Sequence, residues 1–231
     1  HISDLHMSLN YKPGTNNNWD HLVCCTEEAG KPESEEHEAG KWGDYNWDSS
    51  PEALEQIKYT LNMTGEPEFI VWTGDSLDHG IYFNPERTVS TTLRITDFFK
   101  QQMPNSILFP IQGNHEYAPM NSLNFNAEQN PVSDILSEAW AAWMPPSVQK
   151  EYADRTYYSF NATTHPVANP DYIRKMKGTR IIALNTQNCY FFNFYVIGEY
   201  NDPGQEFEWF ENILRKMEKN GEIGILIGHI P

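Results

Sequence analysis

Apolar positions along the chain come in short blocks set off by polar stretches, and the blocks follow two different spacings. Phe69 to Trp72, Ile107 to Ile111, Tyr157 to Phe160, Arg180 to Leu184 and Ile223 to Ile227 are short and largely apolar, which predicts strands. Between them apolar residues recur every three or four positions, which predicts helices. Ser50-Pro51 opens the first helix, with Ser50 as cap and Ala53, Leu54, Ile57 and Leu61 as its stripe. Asn84-Pro85 caps the second, with Val89, Leu93 and Phe99 on one face. A third covers 132–143 and buries Ile135, Leu136, Ala139 and Trp143. Asp202-Pro203 starts the last, carrying Phe207, Phe210, Leu214 and Met217. Residues 1–3 read as a strand stub, and Pro110 predicts an edge or a bulge. Residues 8–47 are polar and read as a long excursion, of the kind that is usually functional or a lid. Alternating strands and helices predict an α/β fold with partly parallel strands.

Composition narrows the partners. A formal net charge of −16 repels phosphate backbones and argues against a nucleic-acid polymer. No apolar run reaches the ~18 residues of a membrane span. No signal peptide is evident, but the first residue lies three positions before a motif that normally ends a strand, so the chain is expected to be trimmed at its front. Cys24 and Cys25 are adjacent, which disfavours a bond between them, and Cys189 is remote. A bridge from the pair to Cys189, bonds beyond these residues and free thiols all remain open. The sequons at Asn62 and Asn161 fit a secreted glycoprotein, although roughly two to three would arise by chance at this Asn, Ser and Thr content. The aromatic run Tyr190 to Tyr200 reads first as buried packing and second as a surface for lipid tails.

The chemistry sits at strand ends. Asp4-x-His6, Gly74-Asp75, Gly113-Asn114-His115 and Gly228-His229 each follow an apolar block. Ligand sites in open α/β sheets gather beyond the carboxyl ends of strands, so the four can converge. Oxygen and imidazole donors without thiolate suit Zn²⁺, Mn²⁺ or iron. Asp4 and His6 would face one ion as alternate strand residues. Asp75 has two oxygens with which to bridge two ions, and the preceding glycines would permit sharp turns.

These blocks resemble the calcineurin-like metallophosphoesterases, whose pattern runs D-x-H, G-D, G-N-H-[DE], G-H, G-H-x-H. Cys24-Cys25, Trp42-Gly43-Asp44-Tyr45, Trp72 to Asp75 with His79, Gly113 to Glu116 followed by Pro119 and Asn121-Ser122, Leu184-Asn185 and Ile227 to Pro231 resemble its acid sphingomyelinase branch. The resemblance spans nearly the whole chain. It implies a four-layer β-sandwich flanked by helices, with 1–231 as one catalytic domain incomplete at both ends. It implies two divalent ions, foremost zinc, one on Asp4, His6 and Asp75 and the other on Asp75, Asn114 and His229. His115 and His79 would bind phosphate and protonate the leaving oxygen, Asn121 would face substrate, and Glu116 would either orient His115 or be an ordinary surface residue. The implied activity is hydrolysis of sphingomyelin to ceramide and phosphocholine by a dimetal-bound hydroxide, in a secreted or lysosomal enzyme with possible membrane-surface contact. A nucleotide phosphodiesterase and a non-catalytic binding protein of the same fold are the alternatives. Asp78 stands where a purple acid phosphatase has tyrosine. Two departures stand out: the closing G-H-x-H is absent, and Trp19 and Trp47-Asp48 lie where the branch has cysteines that pair with the Cys-Cys segment. The resemblance places a G-H-x-H and the partner of Cys189 after Pro231.

Overall fold

The computed structural model describes residues 1–198 and 201–231. Strands β1 (Phe69–Trp72) and β2 (Ile107–Pro110) pair in parallel, with Phe69 opposite Ile107 and Trp72 opposite Pro110. A parallel pair needs a crossover, and helix α2 (Pro85–Gln102) supplies it. The Asn84 side chain accepts the Arg87 N–H, and Pro85 occupies the first turn, where a missing N–H costs nothing. Phe99 and Trp140 pack edge-on against Trp72, fastening this layer of helix to the sheet. The buried face of α2 also holds Thr88, Thr91, Thr92 and Thr96. Their hydroxyls find partners at Asn84 O, Met7 O, a Glu116 oxygen and Thr92 O, so the core tolerates them. The expected strand stub reduces to one bridge, Ile2 beside Trp72.

The second sheet has the order β3 (Tyr158–Asn161), β4 (Thr179–Ala183), β5 (Ile223–Ile227). β3 and β4 are antiparallel, and β4 and β5 parallel. The sheets face each other across one core. Phe109 and Phe160 lie 5.9 Å apart, and the Tyr158 hydroxyl donates to Pro110 O at 2.8 Å. Helix α6 (Glu206–Asn220) lies outside the second sheet, with Met217 against Gly224. Helix, sheet, sheet, helix is the four-layer mixed α/β order expected.

Several local expectations are corrected. Helix α1 (Ala53–Thr64) begins after a turn, and the Ser50 hydroxyl does not cap it but donates to Lys41 O at 2.6 Å. The helix expected over 132–143 is α3 (Pro131–Ala139), followed by turns and a separate α4 (Pro146–Arg155). Consecutive prolines at 145 and 146 prevent one helix from running through. A six-residue helix, α5 (Pro170–Lys175), was too short to show a periodic stripe. Cys24 and Cys25 are bonded to each other, against expectation, and lie buried with Tyr11 and Ala39 while Trp19 and Trp47 pack over them. Phe191, Phe192, Phe194, Tyr195 and Ile197 are exposed rather than packed inside. The end of that run, Glu199 and Tyr200, lies outside the described residues.

On α6 only Met217 of the expected stripe is buried, whereas Phe207 and Leu214 are exposed, as are Ile223 and Leu226 on β5. The Asp202 carboxylate does cap the helix, accepting N–H bonds from Phe207 and Glu208. Beside it Glu206 is 2% exposed and accepts from Asn185 N at 2.6 Å and Asn188 Nδ2 at 2.9 Å. Burial pushes its carboxyl up from 4.5 to about 8, against the opposing Asn185 bond. The folded chain then keeps a proton that the unfolded chain releases above about pH 4.5, so this group's contribution to stability falls as pH rises from there to about 8. The unfolding temperature should drop between pH 5 and pH 8, and Glu206→Gln should flatten that slope. An identical slope in the variant would refute the assignment.

Candidate metal centre

Three backbone legs meet at the carboxyl ends of the first sheet. Met7 bridges in parallel both to Ser49 and to Leu77, so residues 4–8 run between the end of the excursion and the segment after β1. His6 N donates to Asp75 O and Asp4 N to Gly74 O, each at 3.0 Å, and Ser49 N donates to His6 O at 2.9 Å. Asp4, His6 and Asp75 take left-handed φ values of 52°, 37° and 52°. The Asp4-x-His6 pair therefore lies outside regular strand geometry, and its side chains converge through these bends rather than by strand alternation. Non-glycine residues in this region are held there by surrounding contacts, and such positions cluster at functional sites.

The glycines act in two ways. Gly74 has φ 87°, which favours glycine, whereas Gly113 is needed for close approach. A Cβ on Gly74 would strike the Gly113 backbone, and one on Gly113 would strike Asp75. The turns that carry Asp75 and Asn114 are thereby pressed together.

Asp75 is the hub. Its Oδ1 accepts the His115 N–H at 2.9 Å, while Oδ2 lies 3.6 Å from His6 Nε2 and 3.1 Å from His229 Nε2. His229 Nε2 is also 2.9 Å from Asn114 Oδ1. The Asn114 amide is oriented by Asn121, whose Oδ1 accepts from Asn114 Nδ2 at 2.9 Å and whose N donates to Asn114 O at the same distance. Asn121 is thus brought to the site with its amide oxygen already engaged. Burial would push Asp75 up, but the His229 hydrogen bond and the charges of His229 and His115 hold its carboxyl below the ordinary range. His229 is pushed down by burial and raised, on balance, by its bond to Asp75.

A cation suits this donor set. His6 Nδ1 donates to Leu77 O at 3.0 Å, so its Nε2 lone pair points toward Asp4 Oδ1 at 3.8 Å and Asp75 Oδ2 at 3.6 Å. Three lone pairs facing one another repel unless a positive charge sits among them. Donor atoms of Asp4, His6 and Asp75 lie within 4.8 Å of one another, as do those of His6, His79 and His115. His79 stacks on His6 at 4.3 Å, and His115 meets both rings edge-on at 4.7 and 5.0 Å. The two differ electrostatically: the hydrogen bond that His79 donates to Asp48 raises His79, and burial lowers His115.

Glu116 departs from both roles the sequence offered for it, and Asp48 was given none. Glu116 is neither a surface residue nor a partner of the His115 ring. It is fully buried and accepts the N–H groups of Asp75, Ser76 and Gly113 at 2.7 to 2.8 Å. Asp48 is 1% exposed, and its Oδ1 accepts from His79 Nδ1 at 2.6 Å. The available signals were the acidic residue closing Gly113-Asn114-His115-Glu116 and the aspartate next to Trp47. The sequons fall apart from the centre: Asn62 is exposed on α1, and the Asn161 Oδ1 accepts from Thr163.

Comparison with known proteins decides the family: the calcineurin-like phosphoesterase pattern matches residues 1–231. The chain belongs to the calcineurin-like phosphoesterase family. That family uses a dimetal centre. The chain is 28% identical to acid sphingomyelinase-like phosphodiesterase 3b of Mus musculus, over all of this chain and 47% of that protein. It is 27% identical to the sphingomyelin phosphodiesterase of Bos taurus, over all of this chain and 36% of that protein. Identity to the cyclic GMP-AMP phosphodiesterase SMPDL3A of Homo sapiens is 28%, over all of this chain and 47% of that protein. The chain spans less than half the length of these relatives.

Proposed function

We propose that the protein is a metal-dependent phosphodiesterase that hydrolyses sphingomyelin to ceramide and phosphocholine, in a secreted or lysosomal setting. The observation that carries this reading is the placement of Asp75 Oδ2 between His6 Nε2 and His229 Nε2, with His115 and His79 alongside. Asp4, His6 and Asp75 would hold one divalent ion and Asp75, Asn114 and His229 a second, with zinc favoured by imidazole and carboxylate donors. Such a pair neutralises charge on a phosphoryl group and activates water for attack. The chain's own groups do the rest. His115 N–H fixes Asp75, Leu77 O fixes the His6 ring, and Asn121 fixes Asn114. His79 and His115 contact the anionic diester and give a proton to the departing oxygen, which would otherwise leave as an alkoxide.

A lipid substrate is favoured by the surface beside the centre. Tyr190 lies near enough to sense the Asp75 charge, and the exposed Phe191, Phe192 and Phe194 follow it. An apolar cavity of about 350 Å³, lined by Leu184, Tyr190, Phe191, Phe207 and Phe210, opens from the same segment. Aromatic side chains favour the membrane interface, where sphingomyelin resides. Among the described residues no helix is long and apolar enough to cross a membrane. A nucleotide phosphodiester is the second reading, supported by the cyclic GMP-AMP phosphodiesterase relative.

The test is an assay of the full-length protein with zinc against sphingomyelin and nucleotide phosphodiesters; hydrolysis of none would sink the enzyme reading. His115→Ala should keep its metal and lose about 10²- to 10⁴-fold in kcat. Unchanged turnover would refute the role of His115.

A further inference from the structure

We infer that Asp48 is a positioning residue: it fixes the His79 ring so that one nitrogen remains to meet the departing oxygen. The inference rests on the phosphodiesterase reading above. The excursion spanning residues 8–47 delivers Asp48 to this place. Its return leg is tied to the leg that carries Asp4 and His6 through Ser8 N to Ser49 O, Ser49 N to His6 O and the Ser49 hydroxyl to Leu5 O. Met7 holds that leg beside Leu77 in turn, so Asp48 and His79 arrive next to each other from 31 residues apart.

One carboxylate oxygen then grips His79 twice. Asp48 Oδ1 accepts from His79 Nδ1 at 2.6 Å and from the His79 backbone N–H at 3.3 Å. The double contact sets the position of the residue and the rotation of its ring together. Because a carboxylate accepts, Nδ1 carries the hydrogen and Nε2 is the nitrogen left to act. The His79 ring is half exposed and stacks on His6 at 4.3 Å, whereas Asp48 is buried, with its second oxygen unpaired among the described residues. An isolated buried carboxylate is costly, so retaining one whose side-chain hydrogen bonds among the described residues all come from His79 points to a positional role. Neighbouring features explain why it stays put: Trp47 donates its indole N–H to Asn17 O at 2.9 Å and packs over the Cys24–Cys25 disulfide.

The test uses the full-length protein and the variants Asp48→Asn, Asp48→Ala, His79→Ala and Asp48→Asn/His79→Ala. Turnover is followed on sphingomyelin, whose leaving oxygen needs a proton, and on bis(4-nitrophenyl) phosphate, whose leaving group departs without one. Each Asp48 variant should lower kcat on sphingomyelin about 10- to 100-fold, with KM and bound metal unchanged. The loss should be much smaller on the nitrophenyl ester, and Asp48→Asn should cost nothing further once His79 is alanine. Should Asp48→Ala fail to fold, the isosteric Asp48→Asn carries the comparison. Wild-type kcat in the Asp48 variants, or an equal loss in the His79→Ala background, overturns the inference while leaving the phosphodiesterase reading intact. Full activity in His79→Ala overturns the proton-donor role itself, and no wild-type turnover of either substrate overturns both readings.

Discussion

Replacing Asp75 with asparagine is expected to abolish turnover, lowering kcat/KM by about 10³-fold or more, roughly 4 kcal/mol of transition-state stabilisation. The substitution preserves shape. An asparagine oxygen can still accept the His115 N–H now held by Oδ1 at 2.9 Å. The change falls on Oδ2, the atom 3.6 Å from His6 Nε2 and 3.1 Å from His229 Nε2. An amide NH2 there has no lone pair to share and directs hydrogens at the positions the ions would take. Both proposed metal sites include Asp75, so metal content should fall at both rather than at one. Elemental analysis of the dialysed full-length variant should read well under one ion per chain, with the fold intact by near-UV circular dichroism. An Asp75→Asn protein that keeps two ions and its turnover would end the shared-ligand reading.

Much of this centre could be read from residue order because its ligands sit where strands end, and strand ends are marked by apolar runs stopping at glycine. Asp75, Asn114, His115 and His229 each follow such a stop and are brought together within one site. The reasons were less legible than the places. Asp4 and His6 read as alternate strand residues but converge through left-handed backbone bends, and local backbone conformation there is imposed by tertiary contacts. Gly113 read as a turn former and serves instead to let Asp75 approach. What binds residues far apart in sequence leaves no periodic trace. Glu116 reaches back 41 positions to Asp75, and Asp48 reaches forward 31 to His79. The bond between Cys24 and Cys25 was disfavoured by the geometry of neighbouring cysteines, and nothing in the order of residues marks it.

Glu116→Ala is expected to be the most destabilising single change at this centre, and it should act without replacing a proposed ligand. The carboxylate is fully buried. One oxygen accepts from Asp75 N and Gly113 N, both at 2.8 Å, and the other from Ser76 N at 2.7 Å and the Thr92 hydroxyl at 3.2 Å. Asp75 and Gly113 belong to the two turns that follow β1 and β2, so one side chain joins them and, through Thr92, ties them to α2. Removing it orphans three buried backbone N–H groups at about 1–3 kcal/mol each, partly relieved by water entering the space, for a net cost of about 3–5 kcal/mol. Glu116→Gln should lose less, because one oxygen can still accept while its NH2 must face N–H donors. Denaturant unfolding of the full-length protein should rank wild type above Glu116→Gln above Glu116→Ala, with an unchanged slope. Because the same carboxylate sets the spacing between Asp75 and Asn114, metal affinity should fall in that order too. A Glu116→Ala protein as stable as wild type, with full metal content, would show that the pressed glycines alone hold the turns together.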